Sequence, residues 1–275
     1  MTYFSRLSAR VAEVGSLCVG IDPHPGVLDA WAVGQDLAGV EKVALGTVDA
    51  LADKVAAFKP QSAFFEQWGS GGIAVLEKCV NAARQAGALV ILDVKRGDIG
   101  STMDAYARAY LGDGPMGVDA ITLSPYLGFD ALRPALDLAE ANGRGVYVLA
   151  RTSNPEGADI QLGHTASGSG VAQSLVDQAA RRNQLSGDNA VGLVIGGTHA
   201  SLGVDLSGFQ ACVLVPGIGA QGGTMAGVET LFAGTAALIL PSVSREILYA
   251  GSSAVSLREA VDKVLWARTI HRPSR

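Results

Sequence analysis

The chain has 275 residues, 48% of them hydrophobic and 17% charged, with a formal net charge of −5. This length fits one large α/β domain, and the apolar content excludes a disordered chain. Because the sequence has no block of like charge and no basic stripe, it offers little support for a surface that binds nucleic acid or an anionic membrane.

Short apolar runs rich in Val, Ile and Leu alternate with segments of helical periodicity along the chain. Such runs are typical of buried parallel strands joined by helices. The predicted strands number eight and end near Asp22, Lys59, Lys95, Ser124, Thr152, Gly197, Gly217 and Val243. No linker divides the chain, so the pattern predicts one domain over residues 1–275, an α/β TIM (β/α)8 barrel.

The cysteines and the first residues bear on the compartment. Cys18, Cys79 and Cys212 lie far apart in apolar segments, which favours buried thiols over disulfides or a thiolate metal site. The first twenty residues have the pattern of an amphipathic helix running into a strand, without the features of a secretory signal. No run reaches the ~18 apolar residues of a membrane span. We therefore expect a cytoplasmic protein.

Polar side chains gather where the predicted strands end, which is the side on which barrel enzymes carry their active sites. They are Asp22, Lys59, Asp93, Lys95, Ser153, Gln221 and Arg245. Any one of them could simply cap a loop. Seven on one rim favour an active site.

The segment LDVKRGDIGST carries the densest charge. Asp93 and Lys95 are two apart on a strand, which predicts that both point into the barrel. A buried Lys and Asp need partners, and Lys59 at the neighbouring strand end can join them. Asp98 and Thr102 are four apart, which predicts one face at the start of the next helix. An ordinary salt bridge and a helix-terminal Asp would explain the same pattern.

The segment PGIGAQGG places Gly217, Gly219 and Gly222 in the spacing of a dinucleotide fingerprint. That motif belongs early in a Rossmann fold, before a strand that ends in an acidic residue, whereas here it comes late. Barrels commonly bind phosphate in the loops after strands seven and eight, which hold Gln221 and Arg245. Arg245 also begins a predicted helix, whose amides would suit a dianion. A phosphate cradle is the better interpretation.

Histidines give no sign of a metal centre. His24, His164, His199 and His271 show no paired spacing with carboxylates, so we expect no metal. His24 and His164 could line loops near the site, and Ser124 also ends a strand, but the sequence assigns them no role.

The pattern Asp93-x-Lys95-x-x-Asp98-Ile99-x-x-Thr102 resembles the signature of the orotidine 5′-monophosphate decarboxylases. The resemblance continues through VGIDPHP, FKPQSAFFEQWG, RTSNPEG, PGIGAQGG and SVSREILYAG, in the family's order, over almost the whole chain. About 36 residues separate Asp22 from Lys59, which resembles the longer bacterial branch.

The resemblance implies decarboxylation of orotidine 5′-monophosphate to uridine 5′-monophosphate, the last step of de novo pyrimidine nucleotide synthesis, without metal or organic cofactor. It implies a homodimer with shared active sites, in which Asp98 and Thr102 come from the partner subunit. The implied catalytic residues are Lys59, Asp93, Lys95 as proton donor, and Asp98. The implied substrate-binding residues are Asp22, Ile99, Thr102, Ser153, Gln221 and Arg245.

Other functions stay open. A magnesium-dependent sugar-phosphate decarboxylase or aldolase on the same kind of barrel shares the Asp-x-Lys-x-x-Asp core, although Ile99, Thr102 and Gln221 argue against it. A nicotinamide-dependent oxidoreductase would use the glycine fingerprint. A non-catalytic sensor of a phosphorylated ligand would need only the phosphate site.

Overall fold

Eight parallel strands form a closed barrel in the computed structural model, in the order β1-β2-β3-β4-β5-β6-β7-β8. The structure describes residues 1–269. The strands are β1 Cys18–Ile21, β2 Ala57–Pro60, β3 Leu89–Arg96, β4 Ala120–Leu123, β5 Gly145–Arg151, β6 Val191–Ile195, β7 Cys212–Val215 and β8 Leu238–Val243. The predicted TIM barrel is confirmed, and each strand ends within two residues of its predicted position.

Helices connect the strands. They are α1 Tyr3–Val14, α2 Pro25–Ala30, α3 Leu37–Leu51, α4 Ala63–Glu66, α5 Gly69–Gln85, α6 Gly100–Leu111, α7 Arg133–Ala141, α8 Ala158–Gln161, α9 Val171–Ser186, α10 Met225–Leu231, α11 Arg245–Leu248 and α12 Ala254–Thr269. Two short 3-10 helices span Phe129–Leu132 and Pro155–Gly157. Among the described residues, no helix has both the length and the apolar content needed to cross a membrane.

Contacts divide the described chain into two units. The first contains Met1–Ser8 and Lys95–Pro241, and the second contains Ala9–Val94 and the described residues from Ser242 onward. The boundaries fall inside α1, β3 and β8. The single domain expected over residues 1–275 stays a prediction.

The first unit holds β4 to β7 with most of β8, and each of these strands pairs in parallel with the next. Its interior is apolar, and β4 and β6 are buried along their whole length. The N-terminal Tyr3 packs edge-on against Tyr147 of β5, and their hydroxyls lie 2.8 Å apart. This contact gives the buried Tyr147 hydroxyl a hydrogen-bond partner.

The second unit holds β1, β2, most of β3 and the end of β8. β1 pairs with β2 from Cys18↔Ala57 to Ile21↔Pro60. Cys18, Cys79 and Cys212, the last in the first unit, are buried thiols outside any disulfide, as predicted. Burial raises the pKa of Cys18 and of Cys79 to about 12, so both thiols stay protonated at neutral pH.

Candidate active site

A buried ion pair joins the ends of β2 and β3. The Nζ atom of Lys59 lies 2.8 Å from Oδ2 of Asp93, and the two side chains are 9% and 8% exposed. Gln61 Nε2 donates to the same carboxylate oxygen at 3.0 Å. Buried charges need partners of this kind, because an unpaired one would lose its hydration without compensation. The structure therefore places two predicted site residues in direct contact.

The charge of Lys59 is fixed by its surroundings. Burial alone would lower the pKa of the ammonium group, but the carboxylates of Asp93 and Asp22 outweigh it and hold the pKa above its ordinary value. Lys59 is therefore cationic at neutral pH. Oδ1 of Asp22, which follows β1, is buried and has no hydrogen-bond partner among residues 1–269. An acceptor in this state is suited to a ligand hydroxyl.

Lys95 departs from regular strand geometry. Its φ is +45°, a left-handed conformation that costs a residue with a Cβ about 1–2 kcal/mol. Its amide donates to Oγ1 of Thr122 at 2.9 Å. Asp93 is buried whereas Lys95 is exposed. The rule that residues two apart share a face applies to a regular extended strand, so it does not place the Lys95 side chain here. That both side chains point into the barrel stays a prediction.

The residues after β3 also differ from the prediction. Helix α6 begins at Gly100, and Ile99 is its N-cap with extended backbone, so Asp98 lies outside the helix. The four-residue spacing of Asp98 and Thr102 therefore does not place them on one helix face, and that prediction is wrong. Asp98 Oδ1 accepts the Ile99 amide at 2.8 Å. Ile99 is 62% exposed, and Thr102 is exposed as well.

Two predicted binding residues from distant loops meet in the first unit. The Ser153 hydroxyl, after β5, donates to Oε1 of Gln221, after β7, at 2.8 Å. Gly217, in the loop after β7, has a φ of +95°, and a Cβ on this residue would lie 3.0 Å from Cβ of Ser153. Glycine therefore satisfies both the backbone conformation and the close approach.

The glycine loop after β7 uses several of its own amides. Gly219 donates to the Gly223 carbonyl, Gly222 to that of Gly219, and Gly223 to that of Gly217. These three amides are occupied within the loop, so a phosphate held here would rely on other groups. The predicted phosphate site in this loop can therefore use only side chains and the amides that are not bonded within the loop.

Arg245 lies at the start of α11, which is a single turn, Arg245–Leu248, rather than a long helix. Its guanidinium is half-buried and has no hydrogen bond or ion pair within the described part of the chain. Nearby, Oγ of Ser244 and Nε2 of His24 are buried without a partner among the same residues. A cation without a counter-ion beside unpaired polar atoms suits an anionic ligand.

His24 is held between aromatic rings. Its ring centroid lies 5.8 Å from that of Phe64 and 6.0 Å from that of Tyr249. Burial lowers its pKa, Asp22 opposes that shift, and the Arg245 charge adds to it. His24 is therefore neutral at pH 7.

The sequence assigned no role to Gln61, His24 or Ser244. Each stands within three residues of a strand end, so position alone could have marked them as candidates. Their partners, or the lack of them, depend on contacts between distant segments. Residue type and spacing carry no such information.

Metal-ligating side chains do not gather in residues 1–269, where no group of three His, Cys, Asp or Glu could hold a metal ion. His199 Nε2 contacts the carbonyl oxygen of Thr152 at 2.9 Å. His164 lies in the loop before α9. His271 lies outside the described residues.

Known proteins are similar to this chain over nearly its whole length. It is 51% identical over 266 residues to the orotidine 5′-phosphate decarboxylase of Salinispora arenicola, covering 96% of both chains. It is 52% identical over 249 residues to that of a Nocardioides species, covering 89% of this chain and 90% of the relative.

Solved structures are also similar to this chain over nearly its whole length. A crystal structure of a protein from Streptomyces avermitilis matches with a TM-score of 0.92 and 45% identity, covering 98% of this chain and 95% of the other. The Leishmania donovani OMP decarboxylase matches with a TM-score of 0.76 and 29% identity, covering 98% and 100%. The model of the orotidine 5′-phosphate decarboxylase / HUMPS family matches residues 15–260. The chain therefore belongs to the orotidine 5′-phosphate decarboxylase / HUMPS family.

Proposed function

We propose that this chain is a carboxy-lyase that converts orotidine 5′-monophosphate to uridine 5′-monophosphate in pyrimidine nucleotide synthesis. The observation that carries the proposal is the buried pair of Lys59 in β2 and Asp93 in β3, where Asp93 precedes Lys95 by two residues. Relatives about half identical to the chain bear the name of this activity. The family name covers a second group as well, so the identity to these relatives supports the decarboxylase in particular.

The reaction needs fixed positive charge more than any other group. Breaking the bond between the ring and its carboxylate releases carbon dioxide and leaves the electron pair on a ring carbon that no adjacent carbonyl can stabilise. We assign Lys95 to stabilise that carbanion and then to donate its ammonium proton to the carbon. Asp93, held by Lys59, positions Lys95. No organic cofactor or metal is required by this scheme.

The other residues bind the nucleotide in this proposal. The unpaired Asp22 Oδ1 accepts ribose hydroxyls, and Arg245 holds the phosphate through a charge-assisted contact. Ser153 contacts the pyrimidine, and Gln221 bridges the base and the phosphate. Their observed contact with each other supports a shared ligand. Binding energy from the distant phosphate then favours the reacting geometry at the ring.

We further propose a homodimer with shared active sites, in which Asp98 and Thr102 reach the partner's substrate and Ile99 lines the pyrimidine pocket. Ile99 is 62% exposed, and Tyr126 and Leu127, after β4, are 81% and 53% exposed. Large exposed apolar side chains on neighbouring loops are typical of a protein interface. We place this dimer in the cytoplasm as a single-domain enzyme, without nucleic-acid or membrane partners.

The loss of ultraviolet absorbance as orotidine 5′-monophosphate is consumed tests the proposed function. We expect turnover by the purified chain and equal turnover after exhaustive chelation, because the lysines already supply the positive charge. Loss of activity that magnesium restores would favour the sugar-phosphate enzyme. No turnover despite binding of the nucleotide would favour the sensor, and turnover only with a nicotinamide would favour the oxidoreductase.

Arg245→Ala should weaken binding of uridine 5′-monophosphate by about 1.5–3 kcal/mol, because a charge-assisted contact to the phosphate is lost. Calorimetry of the nucleotide and of uridine, which lacks the phosphate, measures this. Uridine affinity should stay the same. Arg181→Ala, on the exposed surface of α9, serves as the matched control. Unchanged nucleotide affinity in Arg245→Ala would remove Arg245 from the phosphate site.

A further inference from the structure

The left-handed backbone of Lys95 is unusual for its residue type. Among residues 1–269, the non-glycine residues with positive φ are Ala32, Lys95 and Asn189. Asparagine tolerates this conformation through its short polar side chain, but lysine has no such local compensation. A strained residue persists only where its surroundings hold it, and strain of this kind is concentrated at functional sites.

The end of β4 holds this backbone at three consecutive residues. Thr122, which is 2% exposed, accepts the Lys95 amide through Oγ1 at 2.9 Å. The Ser124 amide donates to the Arg96 carbonyl at 2.8 Å. A Cβ on Gly97 would lie 2.2 Å from the Ser124 carbonyl oxygen, so the two backbones touch. Of these contacts, the one to Lys95 itself is made by a side chain.

The same segment also contacts α6, through the side chain of Arg96. The Arg96 guanidinium lies 5.5 Å from the ring centroid of Tyr106 and 6.0 Å from that of Tyr110. Cation–π contacts of this kind restrain the arginine and the chain beside it. Lys95 is therefore the strained residue of a segment that is held from two directions.

We propose that Thr122 is a positioning residue, whose hydroxyl fixes the left-handed backbone of Lys95 and thereby aims its ammonium group at the reacting carbon. This inference rests on the proposed function of Lys95 as proton donor. The φ angle sets the direction of the Cα–Cβ bond, from which the whole lysine side chain extends. Without the hydroxyl, the Lys95 amide loses this acceptor and the backbone can relax towards negative φ.

The test compares Thr122→Val, which keeps the shape but removes the hydroxyl, with Thr122→Ser, which keeps the hydroxyl. We expect Thr122→Val to lower kcat by roughly 10- to 100-fold, because small displacements of a reacting group have effects of this size. Its affinity for uridine 5′-monophosphate should not change, since the phosphate and ribose contacts lie elsewhere. Thr122→Ser should restore kcat to nearly its original value.

A second measurement isolates the proton transfer. By microscopic reversibility, the group that protonates the ring carbon also exchanges that proton of uridine 5′-monophosphate with deuterium oxide, which NMR follows directly. Exchange should fall in Thr122→Val as much as kcat does. The matched control is Thr47→Val, which removes another buried hydroxyl, one that donates to the Val43 carbonyl within α3. That variant should keep both rates.

Full kcat and full exchange in Thr122→Val would overturn the inference, as would a loss that Thr122→Ser does not restore. Should Thr122→Val fail to fold, Thr122→Ala decides by the same readouts, and failure of both to fold would assign Thr122 a purely structural role and overturn the inference. The proposed function fails separately, if the unmodified chain does not consume orotidine 5′-monophosphate or if Lys95→Ala remains active.

Discussion

Lys95→Ala should lower turnover of orotidine 5′-monophosphate by about 10⁴-fold or more, because it removes both the proton donor and the charge that stabilises the carbanion. Binding of uridine 5′-monophosphate should persist, since the proposed phosphate and ribose contacts of Arg245 and Asp22 are unaffected. Single-turnover absorbance decay and calorimetry on the same preparation separate these two effects.

The matched control is Lys42→Ala, which removes an exposed lysine from α3 and should keep full activity. A thermal unfolding curve checks that the Lys95→Ala chain is folded. If folded Lys95→Ala still turns over the substrate at a substantial rate, another group delivers the proton and the proposed mechanism is wrong. The result is informative because Lys95 is exposed, so its truncation leaves no cavity in a packed core.

The barrel could be predicted because its strands are mostly buried and therefore mostly apolar. β2, β4 and β6 have no exposed residue, so their sequences stand out from the helices between them. The contact between Lys59 and Asp93 could also be predicted, because the two residues lie at neighbouring strand ends and carry opposite charges. Pattern and electrostatics suffice where the backbone is regular.

Prediction failed where the backbone leaves regular geometry. Residues two apart share a face only where the backbone is extended. Lysine as a residue type does not predict the positive φ that Lys95 adopts. The rule that residues four apart share a helix face requires both to be helical, but the extended Ile99 separates Asp98 from α6. Both departures fall in β3 and the segment after it, where the proposed chemistry is concentrated.

Contacts between distant loops are the other features that the sequence did not predict. Ser153 and Gln221 are separated by 68 residues, and their positions after strand ends placed them on one rim without predicting their hydrogen bond. The unpaired atoms of His24 and Ser244 could not be foreseen, because a missing partner depends on every segment packed nearby. These atoms lie beside Arg245, where they extend the proposed phosphate site beyond the residues that the sequence marked.

Mixing two inactive variants, Lys95→Ala and Asp98→Ala, should restore activity if the active site is shared across a dimer. In a mixed dimer one site receives both lesions, while the other combines an intact Lys95 with the partner's intact Asp98. With random pairing of equal amounts, about half of the dimers are mixed and each has one working site, so about a quarter of the original activity should return. Refolding or co-expression with two different affinity tags yields verified mixed dimers for the assay.

A third variant supplies the negative control for this experiment. Lys59 and Lys95 are proposed to serve the same site from the same chain, so a mixed dimer of Lys59→Ala with Lys95→Ala has one lesion in each site and should stay inactive. Rescue by Asp98→Ala but not by Lys59→Ala would thus divide the charged residues between the two subunits. If verified mixed dimers of Lys95→Ala and Asp98→Ala are as inactive as their parents, Asp98 serves its own chain. The exposed Ile99, Tyr126 and Leu127 would then need another explanation than a shared active site.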